Sequence, residues 1–380
     1  MSLVYSILVY SLLLGSAFAG TISRRAVNPT VASTNIVGNV ADASINRDSC
    51  GSSLVGDRAL WTCRDSQPYG TDGVPTLPIW SSSASWSSFN LDGTPSTVIQ
   101  YGGGGSMTPY FTYPSDYCSG STVGDCGDGT RYALWPDSPP LVTSNDGSTV
   151  TAYTWIRNYR IAGLSPEVAD PSTTLYKLTY SLSTSDENAL PTVSIVNERF
   201  WAENSIGYGA YGNLVQDGTA YLFGKTAAGT VALAKVAAGS IEDLSQYQYW
   251  VNGAWTSTQP GLDDANINIQ NAGAGGQGSF YYSSYADSFY WIGQGGFSVS
   301  ADFYVTTADS PTGPWNSPSL FYSGSNGNYS LGAYSLQAHP DLLPSRSAST
   351  NEIYISYTKN DVVGDNVSLY TTPLIHVVWT

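Results

Sequence analysis

A unit of short strands recurs along this chain, and that repetition limits its fold more than any other feature. In the clearest copies, a second strand ending aromatic-x-aliphatic-Gly or similar is followed by a third strand and an aromatic close. Tyr221-Leu222-Phe223-Gly224 leads to residues 231–236 and Tyr249-Trp250. Tyr290-Trp291-Ile292-Gly293 leads to residues 303–307 and Gly313-Pro314-Trp315, and Ile353-Tyr354-Ile355-Ser356 leads to residues 367–371 and Trp379. Two earlier units are centred on residues 58–63 and 149–157. A repeat of this length buries its apolar faces only by stacking on its neighbours. Five such units predict an all-β chain: a single five-bladed β-propeller with four-stranded blades. A β-sandwich with long insertions and a pair of β domains are the competing arrangements.

No stretch carries the period of a useful amphipathic helix; the apolar runs are short, β-branched or aromatic, and cut by Gly, Asn, Asp, Ser and Pro. Charge then narrows the partners. Fourteen basic residues against 29 acidic ones give a net charge of −15, which excludes nucleic acid, whose binding needs clustered Lys and Arg. The same deficit argues against a polyanionic glycan and leaves neutral polysaccharides or oligosaccharides as the easiest partners.

Residues 1–19 read as a signal peptide, because an apolar run over residues 3–14 precedes Ala17-Phe18-Ala19, a small-x-small cleavage site. That run is well short of the ~20 residues of a membrane span. A secreted, extracellular monomer, off the membrane once the signal is cleaved, is therefore expected. Residues 20–40 form an N-terminal segment with a dibasic pair, Arg24-Arg25, open to processing. The propeller takes residues 41–380, with a long Ser/Gly-rich insertion at about 66–130 that includes Gly102 to Gly105. Asn328 and Asn366 each head an N-glycosylation sequon.

The most informative stretch is the first hairpin. Gly56-Asp57 between Val55 and Arg58 is a two-residue turn of the primed type. In that register Cys50 faces Cys63 across the ladder, at a spacing close to what a disulfide needs. Four cysteines in an exported chain imply two bonds. The register favours the local pairing, Cys50 with Cys63 and Cys118 with Cys126. Asp48 and Asp65 are opposed in the same register, two residues beyond the first bond. Like charges directly opposite each other destabilise a ladder, and glycoside hydrolysis is one chemistry that requires such a pair: one carboxyl protonated, the other ionised. Three bland readings compete. Both aspartates cap strand ends, or Arg47 and Arg64 neutralise them as surface salt bridges, or both ligate calcium.

With that hairpin in hand, the chain resembles the group once called domain of unknown function 4185, five-bladed propellers now classed as glycoside hydrolase family 183. The resemblance is carried by Arg47-Asp48, by Leu60-Trp61-Thr62-Cys63-Arg64-Asp65, by Tyr221 to Gly224, by Ser310 to Trp315, and by Ala338-His339-Pro340-Asp341 with residues 353–358. It covers most of the chain outside residues 66–130. It implies endo-acting cleavage of D-arabinofuranosyl polymers, with Asp48 and Asp65 at the positions of the catalytic pair.

Other side chains are candidates for holding substrate: Arg47 and Arg64 beside the pair, Trp201 and Glu203 ahead of the third unit, Trp291 and Gln294 at the end of a second strand, and His339 in the last unit. Glu203 also reads as a surface loop residue and His339 as a buried, hydrogen-bonded one. Two histidines, His339 and His376, leave little material for a Ser-His-Asp hydrolase or a zinc site. The run Gly273 to Gly278 lacks a following helix and reads as a loop. No cofactor is expected beyond a structural calcium ion, for which Asp125 to Gly129 is the candidate turn. The combined reading is a secreted glycoside hydrolase cleaving a neutral furanosyl polysaccharide, with retention of configuration. A non-catalytic lectin-like propeller is the rival, and a protein-binding propeller a third reading.

Overall fold

The computed structural model describes residues 25–97, 100–101, 107–114, 117–118, 121 and 123–380. The expected signal peptide, Arg24 and the Gly102 to Gly105 run lie outside them. Five sheets stand around a central axis, with the chain passing from the inner to the outer strand in the first four. Blade 1 is Gly51–Val55, Arg58–Cys63, Ser83–Ser87 and Gln100–Tyr101; blade 2 is Leu141–Asn145, Thr149–Ala162, Thr173–Ser181 and Thr192–Trp201. Blade 3 is Gly212–Gln216, Thr219–Lys225, Val231–Ala237 and Gln248–Val251, with Ala254–Thr256 added at its edge. Blade 4 is Gly275–Ser283, Ser288–Gly295, Asp302–Ala308 and Ser319–Ser323. The chain is the five-bladed propeller that its repeats predict.

The closing blade departs from the sequence reading in two ways. Its inner strands are Ala333–Ala338 and Glu352–Val363, but the third is Pro373–Trp379, not residues 367–371. Leu374, Ile375 and Val377 are buried there, whereas Val367–Thr371 is only half-buried and forms a hairpin with the upper part of Glu352–Val363. The fourth strand comes from the other end of the chain: Val31–Asn39 pairs antiparallel with Pro373–Trp379. Val31–Asn39, part of the segment set apart by the sequence reading, thus supplies the outer strand of blade 5, and pairing the first strand with the last closes the ring.

Packing between blades is aromatic and aliphatic. Phe223 of blade 3 stacks on Phe280 of blade 4 at 3.7 Å; Trp86, Ile156 and Tyr176 fill the gap between blades 1 and 2. Full burial of each such side chain is worth ~1.5–3 kcal/mol. Around the axis the inner strands carry small polar residues instead, joined across blades. Ser53 donates to the Pro140 carbonyl (2.6 Å), Asn213 to Ser138 (2.9 Å) and Ser279 to Gln337 (2.5 Å).

Inner strands begin, and second strands end, on one face of the ring. On that face the wall is uneven. The blade 1 hairpin continues upward as Ile45–Arg47 paired with Ser66–Pro68. Blade 5 adds the hairpin closed by Val367–Thr371, and blade 2 adds Thr130–Leu134 and Ser165–Pro166 on the upper half of Thr149–Ala162. Asn46 ties the first two extensions together through the Ser368 carbonyl (3.1 Å) and the Tyr370 amide (2.8 Å). Blades 3 and 4 have no such extension; their second strands stop at Lys225 and Gly295. The mouth is walled on three consecutive blades and open on two.

Candidate active site

The hairpin that opens the propeller folds in the expected register. Gly51 pairs with Thr62 and Val55 with Arg58, and Gly56 takes φ 68°, the left-handed first position of a type II′ turn. Cys50 and Cys63 are bonded, as are Cys118 and Cys126. Asp48 and Asp65 meet as the register requires: the Asp48 amide donates to the Asp65 carbonyl (3.0 Å), and the Arg64 amide to the Asp48 carbonyl (2.8 Å). Between Arg47 and Gly51 the ladder is interrupted, because Ser49 takes a left-handed φ of 50°. Strict alternation of side chains fails there, and the two carboxyls find separate partners.

Asp65 is gripped. Arg131 donates to both of its oxygens (3.1 and 2.5 Å) and the Trp135 indole N–H to Oδ1 (2.9 Å). Such a two-pronged guanidinium contact fixes orientation as well as charge. Asp48 is 9% exposed and makes no ion pair of that kind among the described residues. Burial pushes its pKa up from 3.8 to about 6, against the pull of Arg64 and of the Ser49 hydroxyl and with a further push from Asp65. The Ser49 hydroxyl lies 2.5 Å from its Oδ1, and Tyr334 of blade 5 faces the carboxyl. Arg64 is drawn to Asp137 and lies over the Trp135 ring at 5.3 Å. Two adjacent carboxyls thus sit in unlike surroundings, one favouring the proton and one paired with a cation.

The remaining candidates divide. Arg64 belongs to the mouth. Arg47 is buried beneath it, donating to Ser85 (2.6 Å). Trp201 is core: it is fully buried among Phe200, Tyr208 and Tyr247, with its indole donating to the Tyr208 carbonyl (2.8 Å). Trp291 is likewise fully buried, between blades 3 and 4. Neither ring can touch a sugar, because aromatic residues at those strand positions fill the gap between blades. His339 is buried between the hydroxyls of Ser52 (2.8 Å) and Ser356 (2.7 Å), and burial pushes it down to about 3. It packs the ring neutral. Gln294 is turned away to hold Ser298, by its carbonyl and its hydroxyl. Glu203 is exposed at the outer edge of blade 2, in a cavity of about 500 Å³ shared with Tyr132, Arg160 and Arg199 and separate from the Asp48 cluster.

In the candidate calcium turn, Asp125 caps the Gly127 amide (2.9 Å), while Asp128 caps Thr130 (3.0 Å) and pairs with Arg160 (2.5 Å). Asn328 and Asn366 are both exposed. Sequence reasoning missed Arg131, Trp135, Asp137 and Tyr334. The signal was available: Trp135-Pro136-Asp137 stands just ahead of the blade 2 inner strand, and Tyr334 opens that of blade 5, the places where a propeller presents side chains to its mouth. Phe297 was also missed. It is fully exposed on the blade 4 loop, which Gln294 braces from below and whose Val299 carbonyl accepts the Ala333 amide (2.9 Å).

Residues 149–374 match the family model described as a domain of unknown function, DUF5005. The chain belongs to that family. In this DUF5005 protein the match runs from the second strand of blade 2 to the start of Pro373–Trp379 in blade 5 and leaves the Asp48 hairpin outside. The family shown is DUF5005. No curated protein matches the chain. Among solved structures it is similar to a candidate hydrolase from Bacteroides ovatus ATCC 8483, with TM-score 0.62 and 17% identity over 87% of this chain and 85% of that one. It also matches an endo-1,5-α-L-arabinanase from Thermotoga petrophila RKU-1 (TM-score 0.45, 10% identity, 90% and 74% covered). A third match is an α-L-arabinofuranosidase from Podospora anserina (0.43, 9%, 92% and 95%). At these identities the likeness is one of fold.

Proposed function

We propose that this DUF5005 protein is a secreted glycoside hydrolase cleaving a neutral furanosyl polysaccharide, endo-D-arabinanase-like as the resemblance to family 183 implies. The observation that carries the reading is the unlike pair at the mouth: Asp48 buried and pushed up to about 6, Asp65 paired with Arg131. Asp48 gives its proton to the glycosidic oxygen as the bond to the anomeric carbon breaks. Asp65 attacks that carbon as a carboxylate, forming a glycosyl ester. Asp48, now ionised, takes a proton from the water that releases the sugar, so both carboxyls return to their starting states.

The backbone hydrogen bond joining the two aspartates favours the ~5–5.5 Å carboxyl separation of retaining enzymes. The open side of the mouth suits an internal stretch of polymer, which lies against the wall of blades 5, 1 and 2 and leaves over blades 3 and 4. Phe297 stands on that open side, where its ring face meets the C–H edges of a sugar. The test is incubation with a panel of arabinans and other neutral glycans, reading soluble oligosaccharides and the anomer first released. Oligosaccharides with retained configuration are expected. Tight glycan binding with no product from any polymer would make the protein a lectin, and an inverted first anomer would remove Asp65 as nucleophile.

A further inference from the structure

Two serines beneath Asp48 hold a backbone conformation that serine rarely adopts. Ser49 has φ 50° and Ser335, in the inner strand of blade 5, has φ 52°. Both are buried, and their hydroxyls touch at 2.6 Å. Left-handed φ outside glycine and asparagine is strain that the surrounding fold must hold in place, and such strain gathers at functional sites. Here it puts the hydroxyls in one line. Asp48 Oδ1 lies 2.5 Å from Ser49 Oγ, Ser49 Oγ 2.6 Å from Ser335 Oγ, and Ser335 Oγ 2.6 Å from Oε1 of Gln277 in the inner strand of blade 4.

Counting protons decides the state of this line. It has three short oxygen–oxygen contacts and two hydroxyl hydrogens. The Gln277 carbonyl only accepts, so Ser335 donates to it and Ser49 donates to Ser335. The third hydrogen, between Asp48 and Ser49, comes from the aspartate. If Asp48 ionises, Ser49 must turn to donate to it, and the two serine oxygens then face each other at 2.6 Å with no hydrogen between them.

We propose that Ser49, Ser335 and Gln277 form a proton-ordering seat that holds Asp48 as a carboxylic acid, making Asp48 the acid of the pair and these three its positioning residues. This rests on the hydrolase reading only for the use made of the proton; the seat itself is a property of the resting protein. The charged and titratable groups facing Asp48 are Arg64 and Asp65 on its own hairpin and Tyr334 and Tyr370 on blade 5, with Asp137 acting through Arg64 and Arg131 through Asp65. None of them is replaced in the variants that remove the seat.

Ser335→Gly tests the seat cleanly, because it deletes the hydroxyl while giving the left-handed backbone the residue it favours. The readout is the Asp48 carboxyl resonance followed by carbon-detected NMR titration, assigned by its loss in Asp48→Asn, with thermal unfolding as the check on folding. In Ser335→Gly, and again in Gln277→Leu, the Asp48 midpoint should fall by about one pH unit, since ionisation no longer leaves two oxygens in unbridged contact. Gln277→Glu, which keeps an acceptor, should not lower it. A midpoint unchanged or raised in folded Ser335→Gly overturns the proposal, because a line running the other way, from the Gln277 amide towards an ionised Asp48, gives that sign. On an active substrate the alkaline limb of kcat/KM should move with the midpoint. A midpoint that falls in protein cleaving no glycan would leave the seat standing and remove the hydrolase reading.

Discussion

Replacing Asp48 by asparagine should make the folded protein more stable, and more so as pH rises. Burial raises the Asp48 carboxyl from 3.8 to about 6, so the native state binds its proton more tightly than the unfolded chain does. A group raised in this way contributes its stability below about pH 4, and that contribution is lost as pH climbs through about 6. The rise from 3.8 to about 6 corresponds to ~3 kcal/mol of native-state destabilisation once the carboxyl is fully ionised. Asp48→Asn escapes that cost, and its amide N–H takes the place of the acid proton towards Ser49. Linkage then gives the variant an advantage of roughly 1 kcal/mol at about pH 4.5 and ~3 kcal/mol at about pH 7.5. Denaturant unfolding of both proteins at the two pH values measures it, and because other carboxylates titrate alike in both, the difference isolates this one. A variant advantage that is absent, or equal at both pH values, would refute the claim that burial holds Asp48 near its acid form.

Three further outcomes follow from the same structure. Arg131→Met removes the guanidinium that orients Asp65; the pair is partly exposed, so stability should fall by only ~1 kcal/mol while kcat falls by ~10²-fold, the usual result of misplacing a reacting group, and denaturation run beside kinetics would contradict this if kcat held. Serine at both Cys50 and Cys63 opens a loop of 13 residues beside the site and should cost ~3 kcal/mol on the chain-entropy account; an unchanged unfolding midpoint would mean that the hairpin is held by other contacts. Phe297→Ala should leave stability within about 0.5 kcal/mol and raise KM for polymer well above any effect on a short oligosaccharide, and equal effects on both would take the ring out of the binding path.

Much of the fold was legible because its determinants are local. A two-residue Gly56-Asp57 turn fixes a register, the register pairs Cys50 with Cys63, and short aromatic strands at even spacing have to stack. The closure was not legible for the opposite reason. The pairing of Val31–Asn39 with Pro373–Trp379 joins the two ends of the chain, and no local pattern announces such a partner. The site divided along the same line. Asp48 and Asp65 follow from one hairpin, whereas Arg131 reaches Asp65 from the end of a long insertion, and Tyr334 faces Asp48, and Ser335 its neighbour Ser49, from the opposite end of the sequence. Trp201, Trp291 and His339 misled because position on a strand says which end of the blade a residue occupies but not whether its side chain faces the mouth or the neighbouring blade.

The central claim is that Asp48 and Asp65 act together to cut a glycosidic bond. Its most direct test is release of soluble oligosaccharide from arabinan by the wild type, Asp48→Asn and Asp65→Asn, each shown to be folded and to bind the polymer. Release by the wild type and its loss in both variants, with binding kept, is the predicted result; release undiminished in either variant would contradict it.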